Sequence, residues 1–505
     1  MSEISAASAR YAMNAAALLC MKLTRDVACS INARRHPYKP HGLKEILVGL
    51  RRGLSSKGRR RLKRCPPVKR ERRVSVSESI ALLYGRGQLT LRMPVHAEVT
   101  LIEKGRLKKI ADPAAAVRQA VSEPINSPSL AELARGRKSA CILICDITRP
   151  VPNHLFLRPM IETLVASGIA LNSITILVAT GLHRPNLGEE LTELVGDPWV
   201  MERVRIENHY ARNDADHVDL GLTATRGTPI KLDRRFVEAE LRIATGLVEP
   251  HFMAGWSGGR KVIAPGVAHH ETIRTFHSAR FMEDPLAVQC NLIGNPLHEE
   301  QLEIVRQLGD LYSLNTVIDD DRDLAYVNFG EIVASHAAAV EFVNGAIRVP
   351  ARRRFKTVVT SSAGYPLDKT YYQTIKGMVT PMDILAPGGT LIIASECSEG
   401  LGSEEFRAAQ RRLIELGPDK FLATLTAKSL ADVDEWQTEM QLKPMRVGRI
   451  SLYTSGLSDE ERALTGVEAV GNLDETIARS IARAEDPCVA VIPEGPYVVP
   501  YYDAG

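Results

Sequence analysis

From about residue 75 onward, the chain alternates between short apolar runs and longer amphipathic segments. Short runs rich in Ile, Val and Leu predict buried strands, whereas apolar positions three and four apart predict helices. Two early runs around the turn Gly85–Gly87 predict a hairpin. Later strands are predicted at 141–145, 174–179, 241–244, 356–360, 390–394, 449–453 and 488–492, and helices at 156–166, 189–195 and 371–378.

Strands that alternate with helices are typical of α/β domains with a largely parallel sheet. A chain of 505 residues is also too long for one ordinary core. We therefore predict two α/β domains with largely parallel sheets and an active-site cleft between them. The predicted parts are a basic extension (1–74), an N-terminal catalytic and cofactor-binding domain (75–345) and a C-terminal Rossmann-like domain (346–505), with 338–349 joining the domains.

The net charge of +4 conceals a strong asymmetry. Residues 1–74 hold 19 Lys and Arg against 4 Asp and Glu, which leaves the rest of the chain net negative. The density of basic residues between 51 and 73 favours disorder. A mis-assigned translation start, a transit peptide and a nucleic-acid-binding tail all stay open for this extension. The negative body offers no electrostatic basis for nucleic-acid binding, and we predict none.

The composition also indicates the setting of the protein. No run of 18 apolar residues occurs, so no membrane partner is expected. The eight cysteines form no C-x-x-C pair and indicate neither a structural zinc site nor a disulfide framework. A reducing compartment is therefore predicted, and the location is expected to be cytoplasmic.

Candidate chemistry follows several of the predicted strands. Asp146 and Arg149 come directly after the strand at 141–145, and His183 follows the strand at 174–179. A similar Ala-Thr-Gly-Leu sequence leads from the strand at 241–244 towards His251. Ligands of open parallel sheets bind outside the carboxyl ends of the strands, so these four side chains are predicted to share one site.

The segment 250–266 carries glycines around Ser257, followed by Arg260 and Lys261. Such a loop offers backbone N–H groups to a phosphate. The Walker pattern fails because Arg260 separates Gly259 from the lysine. The G-x-S-x-G match leaves open a serine hydrolase that uses Ser257, although the histidines downstream have no evident acidic partner. A tight turn without any ligand is also open.

Taken together, these motifs resemble the lactate racemase family, the enzymes that use a nickel-pincer nucleotide. The resemblance runs from about residue 75 to the C-terminus, and the basic extension has no counterpart in the family pattern. The motifs that carry it, in the order of the family, are 146–150, 181–185, 251–266, His277, 372–377 and 436–437.

The resemblance implies a racemase or epimerase that inverts the C2 stereocentre of a 2-hydroxy acid, lactate or a larger analogue. It implies that Lys261 carries a covalent nickel-pincer nucleotide, the nickel complex of pyridinium-3,5-bisthiocarboxylic acid mononucleotide. His277 then supplies a nickel ligand, and imidazole in a planar arrangement suits Ni(II). Cofactor-maturation proteins are the implied partners.

The family also implies roles for the remaining motif residues. Hydride transfer to the cofactor needs a base for the substrate hydroxyl, and His183 and His251 match the two acid/bases. The side chains that match substrate-binding positions are Arg149, Gln373, Lys376 and Trp436. The residues predicted to hold the cofactor, besides Lys261, are Asp146, Thr148, Arg149, Gly258, Gly259 and Arg260.

Three further expectations complete the prediction. Asp146 is expected to hold Arg149 or a loop amide. His269 and His270 are predicted to begin a helix and to bind no metal, since adjacent helical residues do not face together. A non-catalytic nickel-cofactor-binding protein is the third functional alternative, although a carrier has no need of two bases.

Overall fold

The computed structural model describes residues 72–74 and 79–504. Its first large sheet has six strands, and only the pair between its first two strands in space is antiparallel. In spatial order these strands are Leu324–Glu331, Tyr312–Ile318, Leu241–Leu247, Ala140–Cys145, Ile174–Ala179 and Arg205–Asn208. Its central strands are buried along nearly their whole length, as expected for a parallel sheet covered on both faces.

Eleven α-helices lie in the described part of the chain before residue 350. Those nearest the start pack on one face of the first sheet, where Phe156 and Ile161 meet the strand residues Ile142 and Ile176. The helices are Pro113–Ser122, Leu130–Ala134, Asn153–Ala166, Glu189–Val195, Pro198–Arg203, Arg234–Val237, Arg260–Ile263, His270–Phe276, Ala279–Met282, Pro296–Gln307 and Ile332–Ile347.

The second large sheet has seven strands, and only the pair at its first edge is antiparallel. In spatial order they are Arg72–Val74, Glu98–Leu101, Cys488–Ile492, Phe355–Ser361, Leu385–Ala394, Arg449–Tyr453 and Glu468–Val470. The accompanying helices are Tyr371–Val379, Glu404–Leu416, Pro418–Thr426, Glu435–Val447, Asp459–Leu464 and Leu473–Ala484.

Early residues of the chain belong to this second sheet. Glu98–Leu101 pairs in parallel with Cys488–Ile492, and Arg72–Val74 pairs with Glu98–Leu101. The hairpin predicted around Gly85–Gly87 is present as Ile80–Tyr84 and Gly87–Leu91, and it shares a buried cluster with the second sheet. Sheet membership therefore does not follow a single division at residue 345, and the domain limits of 75–345 and 346–505 stay predictions.

Four short pairs of strands complete the fold. Besides the hairpin, they are His217–Leu222 with Pro229–Asp233, Pro250–His251 with Gly255–Trp256, and Arg348–Ala351 with Val499–Tyr502.

One apolar core connects the two large sheets. On the other face of the first sheet, Leu143 and Ala244 belong to a buried cluster that continues through Val262 of the glycine-rich segment. The same cluster reaches Val358 and Ile393 in the second sheet. The glycine-rich segment is thus packed between the two α/β parts, which places Lys261 close to residues from both.

The α/β class with largely parallel sheets is confirmed. The predicted joining segment at 338–349 lies mostly in the helix Ile332–Ile347, whose apolar face packs on the first sheet, and its joining role stays a prediction. The expectations for residues 1–71 lie outside the described residues, while 72–74 form a strand. Among the described helices, none has the length and apolar character needed to cross a bilayer.

Candidate active site

The loops that follow three neighbouring strands carry the candidate side chains. Asp146 follows the central strand Ala140–Cys145, which lies between the strands that lead to His183 and His251. Asp146 Oδ2 lies 2.6 Å from His183 Nδ1, and Arg149 pairs with Glu249, two residues before His251. The structure therefore brings these three post-strand loops together, as the pattern predicted.

Asp146 supports His183 rather than Arg149. Its Oδ1 accepts hydrogen bonds from the backbone N–H of Thr148 at 3.2 Å and from the Thr148 hydroxyl at 2.6 Å. Burial raises the pKa of the Asp146 carboxyl, but the hydrogen bond and charge of His183 outweigh this effect and leave it lowered. Of the two alternatives expected for Asp146, the loop amide is the one present, at Thr148, while Arg149 pairs with Glu249.

His183 has a defined tautomer and a raised pKa. Its side chain is 57% exposed, and Nδ1 donates to the carboxylate of Asp146, which leaves Nε2 for proton exchange. Desolvation lowers the pKa of the imidazole, but the hydrogen bond and negative charge of Asp146 raise it by more. His183 is thus stabilised in its protonated form.

His251 has the opposite surroundings. It is buried, and its Nδ1 accepts backbone N–H groups of Met253 at 3.3 Å and Ala254 at 3.2 Å. Burial lowers its pKa well below the usual value, and the positive charges of Lys261 and Arg149 lower it further. The neutral ring therefore carries its proton on Nε2. Proton uptake at Nε2 requires Nδ1 to carry the proton instead, with a rearrangement of the ring or of this loop.

Lys261 lies in the short helix Arg260–Ile263, directly after the turn at Gly258 and Gly259. Burial, followed by the charges of Arg149 and Arg260, lowers the pKa of its amine to about 7. A substantial fraction of the amine is therefore uncharged near neutral pH and able to act as a nucleophile.

A second partly buried amine comes from the other α/β part. Thr370 caps the helix Tyr371–Val379 by accepting from the Gln373 N–H, and Lys376 lies one turn further on. Burial and then the charge of Arg149 lower the pKa of Lys376 to about 7. Its charge in turn lowers the pKa of both His183 and His251, so Lys376 belongs to the same site as both histidines.

His277 ends the helix His270–Phe276 and is buried. Its Nδ1 donates to the carbonyl of Ile273 at 2.9 Å, which leaves the lone pair of Nε2 available to a metal. Burial lowers its pKa to about 4, so the ring is neutral at physiological pH. Its ring lies 4.9 Å from that of Trp436, whose Nε1 donates to the Tyr372 hydroxyl at 3.3 Å.

Ser257 stabilises the glycine-rich loop. Its hydroxyl donates to Leu247 O at 2.7 Å and accepts the N–H of Glu249 at 3.0 Å. His336 Nε2 lies 2.8 Å from the carbonyl oxygen of Ser257, not at its hydroxyl. In the part of the chain that the structure describes, Ser257 Oγ has no histidine hydrogen-bond partner, so the geometry gives the hydrolase alternative no support.

Two glycines make this loop tight. Gly258 and Gly259 have φ of +75° and +50°, in the left-handed region that favours glycine. A Cβ on Gly259 would meet the His336 ring at 2.9 Å. The pair therefore places Lys261 by allowing a close turn, and direct contact of either glycine with a cofactor stays a prediction.

Arg260, which was predicted to hold the cofactor, points into its own loop, and a contact with the cofactor stays a prediction. The side chain is 1% exposed and donates to Ala254 O at 3.0 Å and Trp256 O at 3.1 Å, on the inner side of the loop. Burial lowers its pKa to about 9. Arg260 therefore holds the loop from within.

Sequence reasoning missed two residues of the site. Glu249 pairs with Arg149, and Tyr372 bridges to Trp436. Glu249 lies two residues before His251 in the same post-strand loop. Because Arg149 needs a negatively charged partner, this nearby acidic residue could have been identified from the sequence. The contact of Tyr372 depends on the packing of two distant helices and had no such signal.

The expectation that His269 and His270 begin a helix is confirmed, with His269 as the N-cap and His270 as the first helical residue. The argument that these two side chains cannot face one metal does not hold, because His269 has an extended backbone and both rings lie near Asp214. The two rings therefore lie 4.2 Å apart, closer than two adjacent helical residues would place them.

Comparisons with known proteins agree with this geometry. The chain matches the lactate racemase N-terminal domain over residues 84–289 and the lactate racemase C-terminal domain over residues 351–499. It is 32% identical to the lactate racemase of Lactiplantibacillus plantarum over 384 residues, which cover 75% of this chain and 89% of the relative. It is 29% identical to that of Thermoanaerobacterium thermosaccharolyticum over 436 residues, 83% of this chain and 99% of the relative.

Solved structures give the same result. The lactate racemase apoprotein from T. thermosaccharolyticum superposes with a TM-score of 0.77 at 28% identity, covering 84% of this chain and all of that one. A Thermotoga maritima protein at 16% identity, with a TM-score of 0.60 over 79% of this chain and all of that one, shares the fold. The chain belongs to the lactate racemase family and is an isomerase of the racemase class.

Proposed function

We propose that the protein inverts the C2 stereocentre of a 2-hydroxy acid, with lactate as the first substrate to test, by means of a nickel-pincer nucleotide tethered to Lys261. The observation that carries the proposal is one cationic site that contains a partly buried lysine with a pKa of about 7 and two histidines with opposite pKa shifts. The two relatives compared with the chain are lactate racemases, which supports lactate as the starting point.

The residues of the site suit this cofactor. A substantial fraction of the Lys261 amine is uncharged near neutral pH and can form a covalent bond. His277 offers Nε2 of a neutral imidazole as a nickel ligand. Gln373 has a buried Oε1 without a hydrogen-bond partner in the described structure, as expected for a side chain that awaits a ligand. When bound, the cofactor supplies an acceptor and donor of hydride.

The chain supplies the binding of the anionic substrate. Arg149 and Lys376 lie close enough for the charge of Arg149 to lower the pKa of Lys376, and two such cations suit a carboxylate. Glu249 pairs with Arg149 and thereby fixes the direction of its guanidinium. Trp436, from the second α/β part, packs against the ring of His277 at a centroid distance of 4.9 Å.

The chain also supplies proton transfer at the substrate hydroxyl. His183 Nε2 takes or returns the proton for one enantiomer, and His251 Nε2 does so for the other. Asp146 keeps His183 oriented and stabilises its protonated form, whereas the surrounding cations favour neutral His251. Cofactor-maturation proteins as partners and a cytoplasmic location belong to this proposal as well.

The covalent attachment has a direct test. The full chain is produced with cofactor-maturation proteins, and the intact mass and nickel content are compared between wild type, Lys261→Ala and the size-matched control Lys376→Ala. We expect an adduct and about one nickel per chain in wild type and Lys376→Ala, and no adduct in Lys261→Ala. A fully active wild-type preparation that lacks the adduct contradicts the proposal.

The non-catalytic alternative makes a different prediction. A cofactor carrier without racemase activity would bind the same group, yet it would show no turnover that depends on His183 or His251. Adduct-bearing wild type that fails to racemise every member of a panel of enantiopure 2-hydroxy acids favours the carrier.

A further inference from the structure

A second group of histidines lies apart from the residues assigned to the reaction. His209, His217, His269 and His270 form a row, with successive ring centroids 5.1, 4.9 and 4.2 Å apart. They come from the end of one strand, the start of another and the start of the helix that ends at His277. The proposed racemase reaction uses none of them.

The outer end of this row has the arrangement of a cation site. Asp214, His269 and His270 each offer one ligand atom, and these atoms all lie within 4.8 Å of one another. His269 Nδ1 accepts the Glu271 N–H at 3.3 Å, so Nε2 carries the proton that it donates to Asp214 Oδ1 at 2.8 Å. A divalent cation can take the place of that proton between an imidazole and a carboxylate.

His217 gives an independent indication of a missing ligand. It is 7% exposed, and its Nδ1 donates to Asn213 O at 2.7 Å. Its Nε2 is buried and has no hydrogen-bond partner in the described residues. Buried polar atoms are nearly always satisfied, so a nitrogen left without a partner beside His269 indicates an ion or an ordered water.

His209 is not part of the donor set. Its Nδ1 lies 3.0 Å from Asp233 Oδ2, and its Nε2 lies 3.0 Å from the carbonyl of Ala268. Both ring nitrogens are therefore engaged, and His209 supports the position of His217 from behind.

The charges around the group also suit a cation. Burial and then the neighbouring His269 lower the pKa of His270, and burial is the main cause of the lowered pKa of His217, so both rings are neutral near pH 7. The carboxylates that face the group are Asp214 and Glu271, the latter paired with Lys231 at 2.6 Å, while Asp233 lies behind His209. Neutral imidazoles and a carboxylate are ready ligands at this pH.

We propose that Asp214, His269 and His270 bind a divalent transition cation such as Zn²⁺, with His217 Nε2 as the acceptor for a metal-bound water. Two imidazoles and a carboxylate with one open position form a familiar donor set for such ions. The Asp214 side chain is 89% exposed, so it is free to move from hydrogen-bond distance to ligand distance.

Such a site would join two parts of the first α/β half. It would tie the turn Asp214–Asp216 to the start of the helix His270–Phe276, at whose end His277 lies. An ion bound to the folded state stabilises it by mass action, and the effect would reach the helix that presents His277.

Zinc binding to the full chain, purified without cofactor, tests the proposal. A chelator-buffered Zn²⁺ titration with Co²⁺ absorption as a second probe compares wild type with Asp214→Asn, His270→Gln and the double variant. The matched controls are Asp216→Asn, two residues away, and the exposed His154→Gln. We expect one ion in wild type and both controls, and an affinity at least about tenfold weaker in each site variant.

The His277→Ala variant tests the proposed nickel site separately. This variant removes the predicted nickel ligand but is expected to keep the Zn²⁺ site, so the two proposals fail independently. Circular dichroism checks the folding of each variant. We expect folding to be kept, because Asp214 is exposed and His270 lies near the surface. Equal zinc affinity in wild type and the double variant, or no bound zinc in folded wild type, overturns the proposal.

Discussion

His183 and His251 follow strands on either side of Ala140–Cys145, yet the two histidines have opposite surroundings. His183 is half exposed and paired with a carboxylate, which raises its pKa. His251 is buried among cations, which lowers its pKa, and its Nδ1 accepts backbone N–H groups. In an enzyme that interconverts mirror-image substrates, the protein side of the site is therefore not symmetric.

The difference teaches how one site can hold two acid/bases in complementary states. A racemase needs one base free to accept a proton while the other has a proton to give. Asp146 favours the protonated state of His183, and the cations favour neutral His251. The pair therefore tends to carry one positive charge, on His183. The tautomer of His251 adds a rearrangement that His183 does not need.

The largest expected effect comes from removing either histidine. His183→Ala and His251→Ala in adduct-bearing protein should each lower kcat for racemisation by about 10²- to 10⁴-fold, the usual contribution of general acid–base catalysis. Polarimetry measures the rate, and intact mass verifies that the cofactor is kept. Unchanged turnover in either variant breaks the comparison.

Asp146→Asn tests the cause of the asymmetry. The amide keeps the size of the side chain but removes the charge that raises the pKa of His183. Because the folded pKa is raised in wild type, protonated His183 persists to higher pH there, and the variant should lose it at lower pH. We expect kcat to fall about 10- to 100-fold.

A pH–rate profile distinguishes this effect from simple misfolding. The limb assigned to His183 should move to lower pH in Asp146→Asn, while any limb assigned to His251 stays in place. Thr148→Val serves as the control, because it removes a hydrogen bond to Asp146 but no charge. A profile with an unchanged shape in Asp146→Asn would show that Asp146 does not set the pKa of His183.

Glu249→Gln addresses the cationic side of the site. The substitution keeps a hydrogen-bond acceptor for Arg149 but removes the negative charge. Arg149 is then held less firmly, and we expect KM for the hydroxy acid to rise several-fold, with a smaller change in kcat. A fall in kcat alone would assign Glu249 to the chemical step instead of to substrate binding.

Ser257→Ala should have the smallest effect. It removes hydrogen bonds that hold the loop, a loss on the order of 1 kcal/mol in stability, and we expect kcat within a few-fold of wild type. Thermal unfolding and the racemisation rate are measured together. Near-complete loss of turnover in a folded variant would revive a nucleophilic role for Ser257.

The sequence predicted the elements and the gathering of the loops well, because both depend on local patterns. The strands at Ile174–Ala179, Arg449–Tyr453 and Cys488–Ile492 coincide with apolar runs, and carboxyl ends of neighbouring parallel strands meet at one edge. The pairing of side chains was harder to predict from the sequence. Asp146 had both His183 and Arg149 within reach, and only the three-dimensional arrangement shows that it takes His183.

Two other features also depend on the three-dimensional arrangement. Arg260 faces the inside of its loop because Ala254 and Trp256 present carbonyl groups there, a result of the turn geometry and not of residue type. The strand Glu98–Leu101 joins the second sheet through partners almost 400 positions away, and no local pattern encodes such a pairing.

The most direct test of the asymmetric pair is a single-turnover experiment with each enantiomer. Adduct-bearing His183→Ala and His251→Ala are mixed with D- or L-hydroxy acid, quenched with acid and analysed for the 2-oxo acid. The account predicts that each variant still oxidises one enantiomer and fails with the other, and that the two variants fail with opposite enantiomers. Loss of the same enantiomer in both variants would contradict the assignment of one histidine to each.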